Sequence, residues 1–481
     1  MNNAVRQRNS AAIPETTTFT VKTPVAEQKA VRSDPPPEHP FLVAFGSNVH
    51  NDGYMSDTYN ISGPVGGELR ITQARVGGFP ISLTFDSKGR IITVVMNFET
   101  GDRNLLVIDQ ESLGVLATET VTRGQKDSGK FDPDAMGGGV YFVLDRNYEA
   151  IVPTLEGKIQ FYKIGQEDVP TITKGEAYDL SSIVVAPDEI ISALPDWTGN
   201  LWYVTGGGLV GFVNKAHPRP DNDNHVQLVD EETHTNELIG NSFAVDADGG
   251  VYVVSDHALY RFGVDAEGKL KRFWRAEYDR GSTTKPGQKT QGSGTTPTLV
   301  DMGDEKFVAI ADNADPMKVW VFKRESSSNA GEWVWKPPVF ENRNSATENS
   351  LIGIGKFIIV ENNYGYGDGT STMGTQTTSR GLEMIALGPG EGTTKMWTSP
   401  LDVPSVVSKL SLANGLVYTY IKKKIGWHFA AVYFETGRLA FEAFTGLTSL
   451  VNCHYAGLCL GPDGTAYIGV IEGIVAVKQI S

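Results

Sequence analysis

Cysteine is almost missing: Cys453 and Cys459 are the only two in 481 residues. That scarcity excludes a disulfide framework and a cysteine-rich zinc site. Along an extended strand, rising ~3.3 Å per residue, the two thiols stand ~20 Å apart and do not bridge each other. Long apolar runs are missing too. No stretch approaches the ~18 uninterrupted apolar residues that span a bilayer. The opening MNNAVRQRNSAAIPETTTFTVKTP has no apolar run of signal-peptide length, so the expected location is cytoplasmic. Positive charge is in deficit, with 42 Lys plus Arg against 57 Asp plus Glu and a net charge of −15. Nucleic acid and anionic membrane both want basic patches, so neither is an expected partner. No window of about 12 or more residues carries a 3.6-residue apolar period, so helix is expected to be nearly absent. Nothing resembles GxSxG, a P-loop, HExxH or a dinucleotide fingerprint.

Glycine, in contrast, is abundant: 53 residues, together with 24 prolines, imply many tight turns. Residues 1–40 are polar and end in SDPPPEHP, which reads as a flexible arm. From Phe41 to the end, residues 41–481 read as one domain of short Val-, Ile-, Tyr- and Phe-rich runs bounded by Gly, Asp or Asn. The stretch 241–278 contains a whole unit of four such runs, with the DADG turn (246–249) between the first two. Units start near Phe79, Gly137, Asp188, Leu238, Ser293, Thr347, Ser405 and His454, spaced by 49–58 residues. Four strands per unit at near-constant period is the pattern of a propeller blade. Eight starts predict an all-β, eight-bladed β-propeller. The last unit supplies three strands, and ELRITQ (68–73) is the expected fourth, closing the ring with an N-terminal strand.

The segments FAAVYFETGRLAFEAFTG (429–446) and GTAYIGVIEGIVAVK (464–478) resemble the repeat of quinoprotein-type propellers. The resemblance implies the eight-bladed fold and, in the family, pyrroloquinoline quinone (PQQ). Here Phe441 stands where the repeat has its docking tryptophan, and there is no adjacent Cys-Cys pair to pack on the quinone. Both departures point away from PQQ.

In a propeller, residues leading into each first strand line the mouth of the central channel. The repeat alignment brings apolar residues there from the first two blades and polar ones from the rest: Glu189, Asn241, Thr296, Glu348, Asn349, Lys409, His454 and Tyr455. Second-strand exits add Asp256-His257, Asp312-Asn313, Glu361-Asn362-Asn363 and Glu472. An apolar wall facing a polar wall suits a small-molecule ligand. His454 is the candidate general base, with Glu348 or Lys409 as its charge partner. Asn241, Thr296, Asn349, Tyr455, His257 and Glu189 are candidate substrate contacts. Asp312, Asn362 and Glu348 are hard oxygen donors suited to Ca²⁺ or Mg²⁺, and resemble in residue type the ligand group of calcium-dependent propeller lactonases. A four-histidine iron site is excluded, because only His454, with His257 at an exit, stands at a suitable position. The polar stretch 46–64, carrying His50, Asp52 and Asp57, is expected to fold over the mouth, and the Gly/Thr-rich loop 362–381 leaves the same face. The expected activity is acid–base chemistry on a small molecule, of hydrolase or lyase class and metal-assisted if the oxygen donors converge. The alternatives are a PQQ-dependent oxidoreductase and a non-catalytic ligand- or protein-binding propeller.

Overall fold

Short β-branched and aromatic runs, broken every few residues by Asp- and Gly-containing turns, leave the chain no option but local antiparallel pairing. In the computed structural model of the chain, residues 16–97, 100–123, 137–221, 223–288, 290–340, 344–367, 381–390 and 392–480 are described. Their strands form eight sheets, each built on four antiparallel strands, with a fifth strand added in two of them. The hairpin turns work as the composition suggests. In DADG, Asp246 Oδ1 accepts the amides of Asp248 and Gly250 at 3.0 and 2.7 Å. Gly249 takes a φ of 79°, which a side chain disfavours.

The eight-bladed propeller is therefore the fold. Seven blades are continuous in the chain, from Phe79–Phe85 as the inner strand of blade 1 to Leu439–Gly446 as the outer strand of blade 7. Blade 8 is composite. Leu458–Leu460, Ala466–Val470 and Gly473–Gln479 are joined by Gly67–Arg75, in register from Leu69↔Gln479 to Arg75↔Gly473. From blade 2 onward, the unit starts read from the sequence lead the inner strands by a few residues, because the chain enters each blade through a short non-strand segment. Those segments build the channel mouth.

The N-terminal region differs from a free arm. Thr16–Thr23 is a fifth strand on blade 8, paired with Gly67–Arg75 from Thr16↔Ala74 to Thr23↔Gly67. Beyond it, Ala26 N donates to Val65 O, Lys29 N to Asn414 O and Val31 N to Leu412 O. The alternation in TTTFTVKT is a strand pattern, and the outer edge of Gly67–Arg75 offers it unpaired backbone groups.

Residues 42–59 form a strap inside the ring. Amides of the inner strands of blades 2, 4, 5, 6 and 7 donate to it: Leu144 to Ser47 O, Val245 to Gly53 O, Leu299 to Tyr54 O, Gly353 to Ser56 O and Leu410 to Asp57 O, all at 2.9–3.1 Å. Thr58–Tyr59 then pairs in parallel with Lys409–Ser411 of blade 7. Gly46, at φ 61°, passes so close to Phe85 of blade 1 that a Cβ would meet the ring at 2.8 Å. Gly53 lies against Trp197 of blade 3, and Val49 against Gly457 of blade 8. The strap thus crosses the channel below the mouth rather than over it. Arg324, fully buried, pins its flank: it pairs with Asp246 at 3.3 Å and with Asp301, and its guanidinium lies 5.0 Å from the centre of the Tyr54 ring. Cys453 and Cys459 are free and buried. Among the described residues no helix is long and apolar enough to cross a membrane.

Removing residues 1–40 deletes the fifth strand and its hydrogen bonds, and the truncated chain is expected to stay soluble with a lowered melting temperature. Removing residues 1–75 takes away the strap and the fourth strand of blade 8, and soluble expression is expected to fail. A longer deletion that melts like the intact chain would contradict this closure.

Candidate functional site

The strap turns the channel into a pocket closed at one end. Its floor is Val49 and His50; its walls come from the segments entering the blades, including Ile81, Tyr141, Asn241, Thr296, Glu348, Asn349, Ser350, Val407 and Tyr455. Its volume is about 50 Å³, room for roughly three to five waters. Of the residues anticipated from the repeat alignment, Asn241, Thr296, Glu348, Asn349 and Tyr455 meet here. Tyr141 hydroxyl donates to Asn241 Oδ1 at 3.1 Å. Tyr455 hydroxyl donates to the carbonyls of Gly287 and Tyr366, both at 3.2 Å, drawing two mouth loops together. Residues 368–380 of the Gly/Thr-rich loop lie outside the described residues.

The chemistry centres on His50. Its Nδ1 lies 3.1 and 3.2 Å from the two oxygens of Asp57 and 2.9 Å from Ser350 Oγ. Ser350 Oγ donates to Asp57 Oδ2 at 2.5 Å. His50 Nε2 is buried without a partner. Asp57 sits at φ 56°, a left-handed conformation that costs energy for a side-chain-bearing residue and aims its carboxylate back at the imidazole. Burial raises the Asp57 pKa, but Lys409 and His50 outweigh it and hold the carboxyl below its usual value. An ionised Asp57 fixes the Nδ1–H tautomer, which leaves Nε2 as a bare, buried acceptor on a residue of the pocket lining.

Lys409, anticipated as catalytic, is fully buried behind this pair. Its ammonium donates to Asp57 and, at 2.6 Å, to Val49 O. It positions the Asp57–His50 pair and does not reach the pocket. His454, the anticipated base, is also off the lining. It is buried at φ 38°, with Nδ1 2.9 Å from the Tyr366 hydroxyl and its ring against Phe79 and Tyr455. It supports Tyr455 from behind. Glu189 accepts Gly137 N at 3.0 Å beside Arg103, away from the lining. His257 is held between Asp256 at 2.8 Å and Asp230 at 3.4 Å, also outside the pocket.

The anticipated oxygen ligands do not converge. Asp312 accepts Trp320 Nε1 and the Lys318 amide, both at 2.7 Å, and burial raises its pKa to about 6. Asn362 caps the amides of Ala346 and Tyr364 and donates to Asn344 O. Glu348 lines the pocket without either. Among the described residues no group of three or more His, Cys, Asp or Glu is arranged to hold a metal ion. At second-strand exits, Asp and Asn serve the turns they end.

No family model matches the chain. A protein of Archaeoglobus fulgidus described as uncharacterized is 25% identical over 478 residues, spanning 91% of this chain and 88% of that one. Among solved structures, BamB from Moraxella catarrhalis superposes with a TM-score of 0.41 at 11% identity, over 89% of this chain and 98% of that one. A streptogramin B lyase gives 0.40 at 9%, over 85% and 97%. A putative 6-phosphogluconolactonase from Bacteroides fragilis gives 0.40 at 11%, over 78% and 97%.

Behind the pocket wall, Glu361 is buried among Asn349, Asn363 and Ser408. Burial pushes its pKa up to about 8. The protonated acid also suits the hydrogen bonds. Oε1 accepts both asparagine amides, at 2.7 and 2.9 Å, while Oε2–H is free to donate to Ser408, which passes its own proton to Thr419.

Two outcomes are expected. Lys409→Met leaves Asp57 buried without its cation and should destabilise the protein by about 3–5 kcal/mol in urea unfolding. Glu361 binds its proton more tightly folded than unfolded, so its contribution to stability is complete below about pH 4.5 and is lost as pH rises through about 8. Melting temperature should therefore fall from pH 6 to 8, and Glu361→Gln, a neutral isostere, should flatten that decline.

Proposed function

We propose that the protein is a small-molecule enzyme of hydrolase or lyase class, with His50 as the proton-transferring base of the central pocket. The observation that carries this reading is His50 Nε2, buried and unpartnered at the pocket floor while Asp57 and Ser350 hold Nδ1. An imidazole anchored at one nitrogen and unpartnered at the other, on a residue lining a small pocket, is the arrangement general-base chemistry needs. His50 Nε2 takes a proton from the bound molecule or from a water beside it, and Asp57 stabilises the imidazolium that results. Glu348 is the carboxylate among the lining residues and serves as the second proton carrier.

Ser350 does not act as a nucleophile in this scheme. It shares the Nδ1 end of His50 with Asp57 and donates to Asp57, a carboxylate whose basicity Lys409 and His50 hold down, so it has no contact with the basic nitrogen Nε2. The reaction therefore runs without an acyl-serine stage. Val49, Ile81 and Val407 give the apolar wall, while Asn241, Thr296 and Asn349 orient polar groups.

The quinone reading fits the residues poorly. A space of about 50 Å³ is far below the ~300–1,000 Å³ of typical cofactor sites. A divalent cation likewise lacks a converging donor set among the described residues. The small volume favours a second reading, a non-catalytic pocket that binds a small ligand.

The deciding experiment is a turnover screen with small esters, lactones and hydroxy-carbonyl compounds, followed by His50→Gln on any substrate found. Loss of a general base should cut kcat by at least ~100-fold, with the melting temperature within a few degrees of the parent. An active His50→Gln protein would sink the proposal, and binding without turnover would favour the second reading.

A further inference from the structure

Among the described residues, two buried side-chain atoms of the pocket lining lack partners, and both are acceptors. His50 Nε2 is one, because ionised Asp57 keeps the ring proton on Nδ1. Asn349 Oδ1 is the other. The Asn349 amide cannot be turned over to relieve it: Nδ2 donates to Val406 O, which only accepts, and to Glu361 Oε1, both at 2.7 Å. Both residues line the same cavity and are almost wholly buried, at 3% and 2% exposure. Leaving a buried acceptor unpaired costs free energy comparable to a lost hydrogen bond, so such a pair marks where a ligand's donors belong.

We infer that the pocket takes a small uncharged polyhydroxy compound, which places one hydroxyl on His50 Nε2 and a second on Asn349 Oδ1. This deepens the reading of His50 as the base, and rests on it for the tautomer. The rest of the lining suits such a molecule. Val49, Ile81 and Val407 offer carbon surface to its C–H groups, and Tyr141 and Tyr455 add aromatic surface. Thr290, Ser293 and Thr296 supply hydroxyls that both give and accept. The room, equal to roughly three to five waters, fits a short polyol better than a full sugar ring. An ion that only accepts hydrogen bonds would set lone pair against lone pair at both atoms. The negative field that Glu348 and Asp57 exert on Tyr141, whose phenol is pushed up first by burial and then by these two carboxylates, works against an anion as well.

The inference is tested on the ¹⁵N-labelled full chain by long-range ¹H–¹⁵N spectra of the histidine ring nitrogens, with the His50 signal assigned by its loss in His50→Gln. Erythritol is the donor-bearing probe; succinate and sulfate are the acceptor-only probes. Erythritol should move the His50 Nε2 resonance in a saturable way, and succinate and sulfate at equal concentration should not. Asn349→Ala should weaken the erythritol titration by about tenfold or more. If that variant fails to fold, the comparison of probes on the parent protein still decides. No shift with erythritol, or an equal or larger one with succinate or sulfate, overturns the inference. The turnover test of His50→Gln is independent: erythritol binding as expected, with turnover intact in that variant, keeps the ligand class and removes the base.

Discussion

One buried carboxylate holds the centre of the molecule together. Asp57 makes four contacts at once: to His50 on the strap, to Ser350 at the entry to blade 6, to Lys409 on the inner strand of blade 7 and, through its carbonyl, to the amide of Leu410 on that same strand. A charge taken out of water is tolerated only when such partners surround it. Lys409 balances it, Ser350 and His50 satisfy its lone pairs, and the strap is fixed against two blades as a result. Without that charge balance the strap would lose its anchor on blades 6 and 7, and the pocket would lose its floor.

The same economy governs the other buried charges. Arg324 joins Asp246 of blade 4 to Asp301 of blade 5 under the Tyr54 ring. Glu361, lacking a cation, is held by neutral donors and keeps its proton well above the usual carboxylate range. Arg324 and Glu361 thus sit where two blades meet, and Asp57 with Lys409 where the strap meets blades 6 and 7.

The blade count and the composite eighth blade were legible because they depend on local pattern. Runs such as GGVYVVSD and turns such as DADG repeat with near-constant spacing, and three strands after His454 leave one to be found elsewhere. The entry segments were legible for the same reason, and Asn241, Thr296, Glu348, Asn349 and Tyr455 meet as their shared register implied. What register cannot convey is the direction of a side chain once the strand before it bends. His454 turns behind Tyr455, and Lys409 points away from the mouth into the strap. His50 and Asp57 lie outside the repeat altogether. Their polar segment was visible as too polar for a strand, but its place inside the ring follows from backbone hydrogen bonds that no local pattern encodes. Asp312 and Asn362 had the right donor type for a cation, and turn capping uses those donors first. The strand at Thr16–Thr23 was hidden by the proline-rich stretch that follows it.

The strap and the closing strand are one continuous stretch of chain, residues 42–75, and this constrains the order of assembly. Blades 1 to 7 pair sequence-local strands and can form as each is completed. The strap takes backbone hydrogen bonds from the inner strands of blades 2, 4, 5, 6 and 7, so its seat on the axis depends on those blades. Its neighbour Gly67–Arg75 then seals blade 8 against residues some four hundred positions later, at Gly473–Gln479. Contacts of that sequence separation are slow to form, so ring sealing and completion of the pocket floor become a single late event. A chain still lacking blade 8 has neither a closed ring nor a settled binding site.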